Sequence, residues 1–438
     1  MNIQLKRTLT LWPLVLFGVG LITPIIVLGT FGILSDASGG HTPMSYLVAM
    51  TAMLLTALSY AHMAKALPNS GSSYSYVRKT MDARLGFMTG WAILLDYLFL
   101  PMAIWLIGSA YLSSAFPQIP GFIWLLAFIG ITSVINIIGL KLAATLNMLL
   151  LLIEILVLFA FLVLCLHYTL GDPSKALFSL KPFFSSDMQW PLIMGGAAIA
   201  CYSYIGFDAV STLSEETHNP EKTIPRAILW VTVISGLIFC VTAYIVQVAA
   251  ADLVFDNIDA AAYEIALNIG GDIFVSIFLI GLVLGQFISG IAAQAGGSRL
   301  LYAMGRDGVL PKAFFGWLSP RFGTPMFCIG LSGVIALLAL TMDVTTSTSF
   351  INFGAFLTFI MVNLSVVFYY WIKLKKRGVQ ATLWFLCCPL AGVLADIWLM
   401  ISLDQKAVIL GLCWLLVGFL WLLYLTAGLR REPPELSI

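Results

Sequence analysis

Long apolar runs separated by short polar breaks dominate this chain. Runs of bilayer-spanning length occur at about 11–34, 43–66, 85–115, 121–139, 142–167, 191–214, 227–250, 272–300, 325–342, 349–372, 381–402 and 407–428. A hydrocarbon core about 30 Å thick needs roughly 20 apolar residues of helix. Backbone polar groups find no water there, so each run must satisfy its own hydrogen bonds as a helix. The pattern therefore predicts an all-α polytopic membrane protein with twelve transmembrane helices embedded in a lipid bilayer.

Composition supports this. Of 438 residues, 60% are hydrophobic and 10% charged, against about 25% charged in soluble proteins; the polar surface is too small to cover a water-soluble globule. A net charge of +1 offers no electrostatic basis for a nucleic-acid partner. The seven cysteines fall in apolar stretches with no C-x-x-C pair, and the four histidines are scattered. No disulfide framework, metal site or cofactor is expected. The run from Leu11 to Leu34 lacks a small-residue cleavage site, so it is expected to remain as a spanning helix.

The loop charges predict orientation. If the N-terminus is cytoplasmic, all of the 22 Lys and Arg residues except Lys175, Lys181 and Lys406 fall on the same side; Lys6, Arg7, Arg78, Arg84, Lys222, Arg306 and Lys376 are among them. Basic residues favour the cytoplasmic face, so both termini are expected inside. An odd number of spans would scatter these charges. The opposite side carries Asp252, Asp256, Asp259, Glu264 and Asp272 between the seventh and eighth runs. That acidity is either the counterpart of the basic bias or a field that gathers cations at an entrance.

Two runs are interrupted. The first contains Gly18-Val19-Gly20 and then Thr23-Pro24, and the sixth contains Gly195-Gly196 and then Tyr202-Ser203-Tyr204-Ile205-Gly206-Phe207-Asp208. Glycine and proline weaken a helix interior, and proline removes a donor. The interruptions lie five helices apart, as expected of two inverted five-helix repeats whose broken helices meet at a midplane site. The expected units are 1–168, 169–378, and a final pair of helices with a short tail, 379–438.

Several segments resemble the amino acid–polyamine–organocation superfamily. They are the stretch from Leu67-Pro68-Asn69-Ser70-Gly71 to Tyr76; Gly206-Phe207-Asp208 with Ser214-Glu215-Glu216-Thr217, Asn219-Pro220 and Ile224-Pro225-Arg226-Ala227; and Ser298-Arg299-Leu300-Leu301-Tyr302 to Gly308. Gly90-Trp91, Leu94-Leu95-Asp96-Tyr97-Leu98-Phe99, Pro101-Met102 and Ile351-Asn352-Phe353-Gly354-Ala355 look most like the bacterial putrescine importers. The resemblance implies a LeuT-like 5+5 inverted repeat plus two C-terminal helices. It also implies transport across a bacterial cytoplasmic (inner) membrane, by a monomer or homodimer.

A charge at the bilayer centre costs at least ~2.5–3.5 kcal/mol, so carboxylates inside the runs are candidates for function. Asp96, in the third run, suits an ammonium group through a charge-assisted hydrogen bond; a structural acid held by a tyrosine is the other reading. Asp208 follows the sixth interruption. By resemblance it works with Tyr97 as an inner gate, and it can equally cap the resumed half-helix. Glu154 stands alone among aliphatic residues of the fifth run, where it either exchanges a proton during transport or stays a neutral structural acid. Asp396, in the eleventh run, reads as structural. Tyr202 matches the aromatic that packs on substrate in superfamily exchangers. Pro101 and Trp105 follow Tyr97 on a similar face, offering apolar and cation–π contact. With Thr23, Pro24, Ile25, Ser203, Tyr204 and Asn352 they complete the expected substrate site.

The substrate is expected to be a small amine or amino acid. Amino-acid transporters of this fold hold a carboxylate on free amides of the broken first helix. Here Thr23-Pro24-Ile25-Ile26 lacks one amide and is bulky, which favours an amine without a carboxylate. The importers carry an aspartate before the Thr-Phe-Gly of the first helix, whereas this chain has Gly29; a monoamine or neutral amino acid therefore stays open. A dication entering an interior at −100 mV gains roughly 4.6 kcal/mol. A neutral substrate gains nothing and needs a co-ion, and the proton is the expected one. An amino-acid permease, an amine/amino-acid exchanger and a non-transporting sensor are the alternatives. An embedded enzyme would need a nucleophile or metal constellation that the sequence does not display.

Overall fold

The computed structural model describes residues 9–68, 73–138, 142–173, 175–176 and 178–435. Lys6, Arg7 and residues 69–72 of the first resemblance segment lie outside the described residues, and so does the side chain of Glu215. Among the described residues regular structure is helical, apart from an isolated bridge between Leu9 and Thr217. Eleven helices are long and apolar enough to cross a membrane, and Met326–Thr341 is a shorter apolar helix between the eighth and tenth. Together they make twelve spans at the predicted positions.

Local chemistry starts several of them. Asp82 caps the third span (Ala83–Ala115), accepting from the Arg84 amide at 2.7 Å. Asp343 does the same for Thr346 at 2.6 Å ahead of the tenth (Val344–Lys373), and Asp404 for Ala407 at 3.1 Å ahead of the twelfth (Gln405–Leu425). Each cap satisfies an amide that has no partner within its helix.

Two spans break inside the bundle. The first runs from Leu11 to Ile22, turns at Thr23 (φ 55°, ψ 84°), and resumes as Ile26–Gly29 and Phe31–Ala37. The sixth runs from Trp190 to Ala200, tightens to a 3₁₀ turn at Cys201–Tyr204, reverses at Gly206 (φ 113°), and resumes at Asp208–Glu216. Gly206 packs against Leu21, so the two breaks are adjacent.

The packing repeats itself under a shift of five spans. The seventh span packs on the second and the eighth on the third. The contact of span one with seven is matched by that of six with two. Likewise, three with ten is matched by eight with five, and four with three by nine with eight. Spans eleven and twelve lie outside this pattern: the eleventh packs on the tenth and second, the twelfth on the tenth and third.

Candidate functional site

Beside the sixth-span break lies a cavity of about 270 Å³. Its walls include Ser73 and Tyr74 of the short helix after span two, Tyr97 of span three, Asp208 and Thr212 of span six, and Gly296 and Arg299 of span eight. These elements belong to the ends of spans two, three, six and eight from which the Lys- and Arg-rich loops leave. Gly297 makes the close approach of spans three and eight possible: a Cβ there would stand 2.3 Å from the Tyr97 carbonyl oxygen.

Asp208 sits at the inner end. The Tyr60 hydroxyl donates to its Oδ2 at a long 3.5 Å, and no side-chain hydrogen bond caps the resumed helix. Of the two roles expected of it, inner gate and helix cap, the structure shows no cap hydrogen bond for the second. Asp96, Tyr76 and Tyr97 are all within electrostatic range of it. Asp96 Oδ1 is buried without a hydrogen-bond partner, and Tyr202 lies within electrostatic range of Asp96. Of these groups Asp208 and Tyr97 line the cavity, whereas Asp96 and Tyr202 do not. Among the described residues neither carboxylate is in an ion pair.

The other expected substrate residues are packed rather than open. Pro24, Ile25, Pro101, Trp105, Tyr202, Ser203, Tyr204 and Asn352 are buried, Thr23 is half-buried, and none of them lines this cavity. Ser203 is tied to the Tyr46 hydroxyl at 3.0 Å, and Tyr204 stacks edge-on against Phe239 of span seven. Asn352 donates to the Ala198 carbonyl at 2.7 Å, which binds span ten to span six. The Trp105 ring lies over Gly290 of span eight, its Nε1 without a partner.

Glu154 is 3% exposed and faces span eight at Gly285, whose missing Cβ leaves room for Oε1; Oε2 has no hydrogen-bond partner. Gln286, the next residue, is also buried and reaches toward Gly29 of the first span. Glu154 thus occupies the junction of spans five and eight.

Sequence reasoning missed Tyr60 and left Arg299 without a role. The signal for Tyr60 was weak, because the second span (Thr42–Ala66) also carries Thr42, Ser45, Tyr46, Thr51, Thr56 and Ser59.

Comparison with known proteins decides the family. Residues 14–425 match the amino acid permease family. The chain belongs to that family. This permease is 37% identical over 437 residues to the low-affinity putrescine importer PlaP of Escherichia coli (strain K12), covering 99% of this chain and 97% of that protein. It is 27% identical to the branched-chain amino acid permease BcaP of Bacillus subtilis (strain 168), covering 95% of this chain and 92% of that protein. Identity to the methylthioribose transporter of the same organism is also 27%, with 95% and 93% covered. The permease is a multi-pass membrane transporter and not an enzyme.

Proposed function

We propose that this permease imports a small organic amine of the putrescine type across the bacterial inner membrane by alternating access, with both termini in the cytoplasm. The observation that supports this best is that Asp96 and Asp208 lie within electrostatic range of each other near Tyr97 and Tyr202, with no ion pair among the described residues to neutralise either acid. Two acids near a cavity end complement the two ammonium groups of a diamine, and aromatic faces suit the alkyl chain between them. The named function of the 37%-identical relative agrees.

In this reading residues 1–168 and 169–378 are inverted repeats. The five-span shift in packing supports that division, and the odd span count makes the second unit start from the opposite face. The cavity is the cytoplasmic exit, with Tyr97 and Asp208 as its inner gate. Thr23, Pro24, Ile25, Pro101, Trp105, Tyr202, Ser203, Tyr204 and Asn352 surround the substrate once the breaks separate. Glu154 carries the coupling proton.

Arg299 in the cavity wall with Asp208 favours a second reading, a zwitterionic amino acid as substrate or exchange partner. Proteoliposome uptake separates the two. Putrescine uptake that rises with an inside-negative potential, without preloaded counter-substrate, supports the importer. Strict dependence on an internal amino acid overturns it.

A further inference from the structure

A buried polar cluster outside the transport cavity carries a separate inference. Asp396 of span eleven, Thr56 of span two and Asn363 of span ten are each fully buried. Asn363 Nδ2 donates to Asp396 Oδ2 at 2.9 Å and approaches Thr56 Oγ1 at 3.0 Å; Thr56 Oγ1 donates to the same Oδ2 at 3.0 Å. Gly392, one turn before Asp396, leaves the notch that seats the Asn363 amide, since a Cβ there would stand 2.8 Å from Nδ2 and 3.0 Å from Oδ1.

The donors can be counted. The three side chains own two amide hydrogens and one hydroxyl hydrogen, and all three are used in the triangle just described. Two acceptors are left over, Asp396 Oδ1 and Asn363 Oδ1, both buried and without a partner. Among the described residues no ion pair reaches Asp396, and Cys201, at the start of the sixth-span break, lies within electrostatic range of it. A buried carboxylate with no counter-ion and an orphaned oxygen on the amide that it binds through Oδ2 are both costly. One added proton addresses both costs: on Oδ1 it removes the charge and supplies the missing donor for the amide oxygen.

We propose that Asp396 is a proton-binding site, held as the neutral acid and paired with the Asn363 amide through Oδ2···H–Nδ2 and Oδ1–H···Oδ1. This acid–amide clasp fastens the eleventh span to spans two and ten beside Cys201, and so ties a helix outside the repeat to the moving core. Isotope-edited infrared spectroscopy of the purified full-length protein tests it. The expected spectrum contains a protonated-carboxyl carbonyl band that Asp396→Asn removes. Asn363→Leu should move that band to higher frequency, because the acid loses its amide partner. Asp396→Asn is expected to keep uptake within about threefold, since a second amide can close a similar ring. Superimposable acid-carbonyl spectra of wild type and Asp396→Asn would overturn the proposal. So would sodium or lithium chloride raising the melting temperature of wild type and not of Asp396→Asn, which would make the site a cation site. Should Asp396→Asn fail to fold, the Asn363→Leu spectrum decides, and an unmoved band rejects the clasp.

Discussion

Asp96 and Glu154 are both acids within apolar helices, and the proposed function gives them different work. Asp96 stands within electrostatic range of Asp208 and Tyr202 at the sixth-span break, so it can meet a substrate ammonium. Hydrogen bonds to charged groups contribute about 1.5–3 kcal/mol. Asp96→Asn should therefore weaken diamine binding about 10- to 150-fold, measured by scintillation proximity or thermal shift. Affinity surviving within about twofold would remove Asp96 from the amine site. Glu154 instead faces Gly285 across a tight helix contact, with one oxygen free. It can take and release a proton without meeting substrate. Uptake driven by a proton gradient should fall as external pH rises, and Glu154→Gln should flatten that profile while leaving binding measurable. An unchanged profile would place the coupling proton elsewhere.

Elements meet here through glycine, and two neighbouring glycines make a sharp test. A Cβ on Gly297 would stand 2.3 Å from the Tyr97 carbonyl oxygen, which cannot swing away because it is backbone; on Gly296 it would stand 3.8 Å from the Tyr97 ring. Overpacking a tight contact costs typically about 1–3 kcal/mol. Gly297→Ala should lower the melting temperature and cut uptake, whereas Gly296→Ala should melt at the wild-type temperature. Equal behaviour would mean that spans three and eight are not locked at this point. Gly206 is different again. Its φ of 113° lies where an L side chain is strained by about 1–3 kcal/mol, so Gly206→Ala should disturb the break itself and slow transport more than it weakens folding.

At the scale of the molecule, the proposed function reads the shift-by-five packing as two matched halves whose alternating-access cycle exchanges which end is open. The cavity seen here opens beside Ser73, Thr212 and Arg299. A cysteine placed at Thr212 should react with an impermeant thiol reagent in inside-out vesicles and not in right-side-out ones, above the background of the seven native cysteines. Added putrescine should slow the labelling. Reaction from the outside alone would reverse the proposed orientation.

The twelve spans and both breaks were legible in the sequence because bilayer thickness, helix rise and the scarcity of charge leave few alternatives, and because Pro24 and Gly206 act on their own backbone. The acids at Asp96, Glu154 and Asp208 were legible for a similar reason, since an ionisable group in hydrocarbon is costly wherever its neighbours lie. What each acid touches was decided by the tertiary structure alone. Tyr60 reaching Asp208, Glu154 settling opposite Gly285, Ser203 and Asn352 serving as helix ties, and the Thr56–Asn363–Asp396 triangle all join residues distant along the chain. Which faces of the helices turn toward one another sets these contacts, and hydropathy cannot report rotation about a helix axis when nearly every face is apolar.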